Sequence, residues 1–145
     1  MKLPIKKLND KARIPTYGTE FSAGADLYAL LDAPITIKPN EVAMIKTGLS
    51  MEIPENNAGF IYPRSGMSVK RGLAPANKVG VIDSDYRGEI MVALLNHSNI
   101  PQTVEDGERI AQIIIAPYIH ADFVIAEELQ ETVRGEGGFG STGTK

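Results

Sequence analysis

Val79-Gly80-Val81-Ile82-Asp83-Ser84-Asp85-Tyr86-Arg87-Gly88 runs from an apolar stretch into a polar, turn-forming cluster. Val79 to Ile82 reads as a strand, Asp83-Ser84-Asp85 as a turn, and Glu89 to Leu95 as the returning strand. The returning strand is almost wholly apolar, so both of its faces are expected to be covered. Such a hairpin has two uses. Its main-chain N–H and C=O groups can read the edge of a flat polar ligand, and Asp83 can take a proton from a water beside that ligand. The same residues also suit a surface turn in which two aspartates and a serine cap backbone groups.

The neighbouring segments repeat this short-strand pattern. Lys2 to Leu8, Ile35-Thr36-Ile37, Val42 to Ile53 and Gly59 to Tyr62 are β-prone runs, separated by turn signals such as Pro39-Asn40 and Pro54-Glu55-Asn56-Asn57. Asn9 to Thr19 has turn composition, and Tyr118 to Ala126 is expected to carry the last core strand. No long amphipathic helix is apparent. The pattern predicts an all-β sandwich or barrel.

One segment breaks it. In Pro63-Arg64-Ser65-Gly66-Met67-Ser68-Val69-Lys70-Arg71-Gly72, Ser65 suits a helix N-cap and Gly72 the residue past a helix end. A helix of about two turns is expected between them. Lys70 and Arg71 would lie in its last turn, where cations suit the dipole. Its start would offer N–H groups, the Ser65 hydroxyl and the Arg64 guanidinium to an anion, phosphate being the obvious one; a capped surface helix without ligand fits equally well.

Two polar residues stand in apolar company. Asp26, in Ser22-Ala23-Gly24-Ala25-Asp26-Leu27-Tyr28-Ala29, follows small residues that permit close approach of backbone or ligand. Its alternation with Leu27 suits a solvent-facing strand position. Gln112 sits mid-strand in Arg109-Ile110-Ala111-Gln112-Ile113-Ile114-Ile115; if buried it needs a partner, either an anion or a backbone carbonyl.

Composition narrows the classes. A chain of 145 residues suits one domain and can bury a core unaided. It has no cysteine, so disulfides and thiolate chemistry are excluded, and His97 and His120 alone make a histidine-rich zinc site unexpected. A net charge of -3 argues against an electrostatic nucleic-acid binder. No apolar run approaches the roughly 20 residues that span a bilayer, and no apolar signal segment is present, so no membrane association is expected. The expected location is cytoplasmic, or nuclear for a eukaryotic or viral source.

The core is expected over residues 1–130 and a flexible glycine-rich tail over 131–145. The tail contains G-x-G-x-x-G at Gly135, Gly137 and Gly140, without the strand, helix and distant acid that a dinucleotide fingerprint needs. It also holds an arginine, an aromatic ring and hydroxyls that could close over a nucleoside triphosphate, with Phe139 on the base and Arg134, Ser141 and Thr142 on the phosphates.

Five segments in order resemble the motifs of the trimeric all-β dUTP pyrophosphatases: Ala23 to Ala29, Pro63 to Gly66, Gly80 to Gly88, Gly107 to Gln112, and Arg134 to Gly143. The resemblance covers nearly the whole chain. It implies a jelly-roll homotrimer with active sites between subunits, and a tail that covers a neighbour's site. It implies Asp83 as general base toward a water attacking the α-phosphorus of dUTP. Mg2+ would bridge the phosphates, with Asp26 holding it through a water. Arg64, Ser65 and Gly66 would cradle phosphate and Gln112 would donate to the α-phosphate. Arg134, Ser141 and Thr142 would reach the γ-phosphate, Gly140 would belong to the same substrate site, and Phe139 would cover uracil. Gly80, Val81 and Ile82 would read the uracil edge, Asn77 would add a side-chain contact, and Tyr86 would pack under the deoxyribose and exclude a 2′-hydroxyl. Cytosine would leave buried groups unpaired, a discrimination of up to ~10⁴. The implied role is to keep uracil out of DNA and to supply dUMP.

Overall fold

The computed structural model describes residues 1–138. Among them it contains twelve strands and one helix: β1 (Ile5–Lys7), β2 (Thr16–Tyr17), β3 (Ala25–Tyr28), β4 (Ile35–Ile37), β5 (Val42–Lys46), β6 (Leu49–Met51), β7 (Asn57–Tyr62), α1 (Ser65–Arg71), β8 (Leu73–Pro75), β9 (Gly80–Ile82), β10 (Met91–Asn96), β11 (Gln102–Val104) and β12 (Arg109–Pro117). The largest sheet runs β2-β3-β12-β7-β9, a second runs β5-β10-β8, and β1-β6 and β4-β11 form two-stranded ribbons. The large sheet begins and ends on different strands, so it is open, and the architecture is a jelly-roll-like sandwich and not a closed barrel.

The core lies between these sheets. Leu27 and Ile110 from the large sheet, Ile45, Val92 and Leu94 from the second, and Ile37 and Val104 from a ribbon belong to one buried cluster. Strand β10 shows the period of a sheet with one core face: Val92, Leu94 and Asn96 are buried and Met91 is exposed. The expectation that both faces of this segment are covered is therefore corrected for the single chain.

Asn96 is the polar keystone of that row. It is fully buried, and its Nδ2 donates to the carbonyls of Ile37 at 2.9 Å and Ile100 at 2.8 Å. Its Oδ1 accepts from Ser98 N at 2.9 Å and Ser98 Oγ at 2.7 Å. Asn96→Ala removes a partner from the carbonyls of Ile37 and Ile100 and from the Ser98 N–H, and leaves a cavity at a fully buried position. It should destabilise the fold by about 2–4 kcal/mol, read as a lowered urea midpoint at unchanged slope.

Four local expectations are corrected. The strand around Val81 and the one after Gly88 do not pair with each other: β9 pairs with β7, and β10 pairs with β5 and β8. The connection between them is too long for a tight hairpin, and each strand finds its core-facing partner elsewhere. The tight turn lies earlier, between β8 and β9, where Lys78 takes φ 66° and its N–H donates to the Pro75 carbonyl at 3.0 Å. Within Asn9 to Thr19, Thr16 and Tyr17 pair with β3. Tyr118 to Ala126 forms no strand; β12 ends at Pro117, and Ile119, Phe123, Val124 and Ile125 stand in solvent. None of the sheets among the described residues includes them. Ser65 is the first helical residue and not the N-cap, which is Arg64 in extended conformation, with no side-chain cap. The Arg64 carbonyl accepts the first helical bond from Ser68 N at 2.9 Å, and its side chain is drawn elsewhere.

The far end of α1 matches its reading. Gly72 takes the left-handed conformation at φ 65°, and its N–H bonds back to the helix. Arg71 does more than meet the helix dipole. Its guanidinium pairs with Glu108 and donates to the Thr103 carbonyl and to Gln102 Oε1. The helix is thereby tied to β11 and to the turn before β12.

Candidate active site

Asp26 is the centre from which the first cleft is built. It lies in β3 opposite Gln112 of β12, between Ala25 and Leu27, and is only 7% exposed. The solvent-facing position suggested by alternation is thus corrected. A carboxylate so placed is stable only if paired. Arg64 Nε donates to Oδ1 at 2.6 Å and Arg109 Nη1 to Oδ2 at 3.3 Å. The first bond explains why Arg64, at the start of α1, turns back toward the sheet.

These residues line a cleft of about 630 Å³ with Gly18, Ser22, Ala23, Gly24, Ser65, Gly66 and Gln112. Ser65 and Gly66 are exposed at the first turn of α1. Gln112 Nε2 donates to the Pro63 carbonyl at 3.0 Å, the backbone partner being the one realised, while the side chain still lines the cleft. Asp26, Arg64, Ser65, Gly66 and Gln112, five residues from three separated segments of the sequence, are therefore gathered here. The arrangement has two guanidiniums, one carboxylate, a helix start and an amide. It is suited to a polyanion larger than a single phosphate.

Gly24 is required by this packing. A Cβ there would lie 2.5 Å from Gln112 Oε1 and 3.0 Å from its Cδ. Gly24→Ala should push Gln112 aside, with a kcat/KM loss of about 10- to 100-fold and little change in thermal midpoint. Steady-state kinetics beside a melting curve checks both.

A second pair of clefts lies around β9. One, of about 140 Å³, is lined by Asn77, Gly80, Val81 and Ile82 with Met44, Ile61, Pro75 and β10 residues. The other, of about 240 Å³, is lined by Asp83, Tyr86, Glu89, Val81, Ile82, Met44 and Met91. Asp83 is exposed and makes no ion pair among the described residues. Tyr86 is held by its hydroxyl, which donates to the Glu89 carbonyl at 3.0 Å. Neither cleft shares a lining residue with the Asp26 cleft. One chain therefore does not join the Asp83 group to the Arg64 group.

Arg134 is exposed, and its Nε donates to the Gly137 carbonyl at 2.8 Å within a local turn. Phe139, Gly140, Ser141 and Thr142 lie outside the described residues. Sequence reasoning missed Arg109 as a cleft residue, although it stands in the same segment as Gln112. It also missed Gly18, which precedes the Asp26 segment and carries no distinctive signal.

The dUTPase family model matches residues 10–143. The chain is 52% identical over 136 residues to the deoxyuridine 5'-triphosphate nucleotidohydrolase of Desulfitobacterium hafniense, covering 92% of this chain and 90% of that one. It is 52% identical over 143 residues to the enzyme of that name from Nautilia profundicola, covering 99% of both. The structure of Staphylococcus bacteriophage 80alpha dUTPase with dUPNHPP superposes with a TM-score of 0.89 at 29% identity, covering 98% of each chain.

Proposed function

The chain belongs to the dUTPase family, and on that premise we propose that it hydrolyses dUTP to dUMP and pyrophosphate. The observation that carries this reading is the Asp26 cleft, in which Arg64, Ser65, Gly66 and Gln112 converge. Arg64, the Ser65 hydroxyl, the N–H groups at the start of α1 and the Gln112 amide hold the triphosphate in line for attack. Gly80, Val81 and Ile82 present main chain to the uracil edge, Asn77 adds an amide, and Tyr86 supports the sugar. Asp83 accepts a proton from water as its oxygen bonds to the α-phosphorus. The bond to the β-phosphate bridging oxygen breaks and pyrophosphate leaves. Arg134, Gly140, Ser141 and Thr142 close on the phosphates and Phe139 on the base.

Mg2+ fits the residues present in one way. No cluster of three or more His, Cys, Asp or Glu side chains suited to a metal occurs among the described residues, and Asp26 is the only acid of its cleft. A hard cation that keeps its waters needs no more than that when phosphate oxygens supply the remaining ligands. Asp26, whose oxygens retain lone pairs beyond the two arginine bonds, would hold it through water. When bound, the ion neutralises charge on the triphosphate.

The site is proposed to be completed between subunits of a homotrimer. Two facts support this. The two β9 clefts and the Asp26 cleft share no lining residue, and Ile119, Phe123, Val124, Ile125 and Leu129 are exposed beyond β12. No helix among the described residues is long and apolar enough to cross a membrane.

The test is pyrophosphate release with Mg2+ from dUTP, dTTP, dCTP and UTP in parallel. Turnover of dUTP alone is expected. Turnover of several nucleotides would retain the phosphate chemistry and remove the specificity given to residues 77–86. Tight binding of a dUTP analogue without turnover would make the protein a non-catalytic nucleotide binder.

A further inference from the structure

We propose that Arg109 is a phosphate-binding residue of the Asp26 cleft, placed there by a bulge in β12. The inference deepens the reading of this cleft as a triphosphate site and rests on it.

Strict alternation along Arg109-Ile110-Ala111-Gln112 would send Arg109 and Gln112 to opposite faces of the sheet. The register against β3 is not strict. Gln112 faces Asp26 and Ala111 faces Leu27, but Tyr28 is met by Arg109 and not by Ile110. The extra residue is Ile110. It is buried next to buried Ala111, so two consecutive side chains leave the cleft side of the strand. A bulge re-aims the residues on either side of it. Here it brings Arg109 onto the face that already holds Tyr28, Asp26 and Gln112.

The consequence is a second guanidinium at one site. Arg64 lies close against Asp26, with its side chain 26% exposed. Arg109 touches the other carboxylate oxygen at the longer distance of 3.3 Å, and its side chain is 52% exposed. It lines the open cleft, and its one side-chain hydrogen bond among the described residues is the bond to Asp26. Asp26 anchors the guanidinium on one edge and leaves the rest of the planar fork for a ligand. Two guanidiniums against one carboxylate leave the cleft cationic before ligand arrives. The ligand class is the outer phosphates of a nucleoside triphosphate.

The test compares Arg109→Gln with wild type, using a non-hydrolysable dUTP analogue and dUMP as titrants in the presence of Mg2+. Analogue affinity should fall about 10- to 30-fold and dUMP affinity less than about threefold, with KM rising more than kcat falls. Arg109→Lys should restore part of the analogue affinity. In an Asp26→Asn background, Arg109→Gln should still weaken the analogue, because the contact is to phosphate and does not act through Asp26. Equal loss for both titrants with a lowered thermal midpoint would overturn the proposal in favour of a structural arginine. Unchanged affinities would overturn it outright, as would a loss that vanishes in the Asp26→Asn background. Failure of wild type to bind the analogue would instead remove the triphosphate reading beneath it.

Discussion

Asp83→Asn is expected to lower kcat by about 10²–10⁴-fold while leaving affinity for a non-hydrolysable dUTP analogue within a fewfold of wild type. The substitution keeps size and an oxygen acceptor, so a water can still be held. What it removes is the ability to take that water's proton. The environment supports a clean result. Asp83 is exposed and forms no ion pair among the described residues, so no buried partner is stranded. Its neighbours in the cleft are Val81, Ile82, Tyr86, Glu89, Met44 and Met91, and Tyr86 is positioned by its own bond to the Glu89 carbonyl. A single-turnover assay beside a binding titration separates chemistry from recognition. A variant with near wild-type kcat would take the base role away from Asp83. A variant that loses binding in step with turnover would make the carboxylate a ligand contact.

The contrast between Asp83 and Asp26 shows what local pattern can and cannot convey. Both are single carboxylates beside short apolar strands. Their opposite fates depend on partners far away in the chain. Asp26 is buried because Arg64, 38 positions on, and Arg109, 83 positions on, reach it. Neither separation is visible in a window of strand length. The short helix was legible because its signals are local: Gly72 at the left-handed stop, and a run of residues that is not β-prone. Its start was displaced by one residue because the Arg64 side chain, which caps nothing, is held by Asp26. The all-β class was legible from spacing alone, whereas strand partners were not. Val81 and Leu94 look like two arms of one hairpin until burial sends β9 to β7 and β10 to β5 and β8.

Arg109 and the segment after Pro117 show two further limits. A period of two is the basis of face assignment in strands, and one inserted residue reverses it. Only the observed register against Tyr28 and Asp26 shows that Arg109 and Gln112 share a face. After Pro117, an apolar run reads as a core strand because composition cannot say which chain supplies the core. Phe123 is 94% exposed in the single chain. An apolar run and an unfilled position in the fold need not belong to the same subunit.

Removing residues 134–145 is expected to leave thermal stability within about 2 °C of wild type and to reduce dUTP turnover by at least about 100-fold. The stability half follows from contacts. The tie from Tyr118 N to the Asn56 carbonyl, 3.2 Å, lies upstream of the cut and is kept. The bonds given for Arg134 and Gly135 are local, to Gly137 and to Thr132, and residues 118–136 are exposed. Among the described residues, none from 134 to 138 belongs to the core. The activity half follows from where binding energy is used. Contacts from Arg134, Phe139, Ser141 and Thr142 to the phosphates and base would exclude water and strengthen every charge interaction in the cleft as the α-phosphorus is attacked. The truncated protein should therefore lose kcat, and not only affinity, while dUMP binding at the β9 clefts changes little. Kinetics, sedimentation and melting on the same preparation read all three quantities. Unimpaired turnover would remove the five tail residues from the site. Dissociation of the proposed trimer on truncation would show that the segment holds subunits together, and the loss of activity would then report assembly in place of closure.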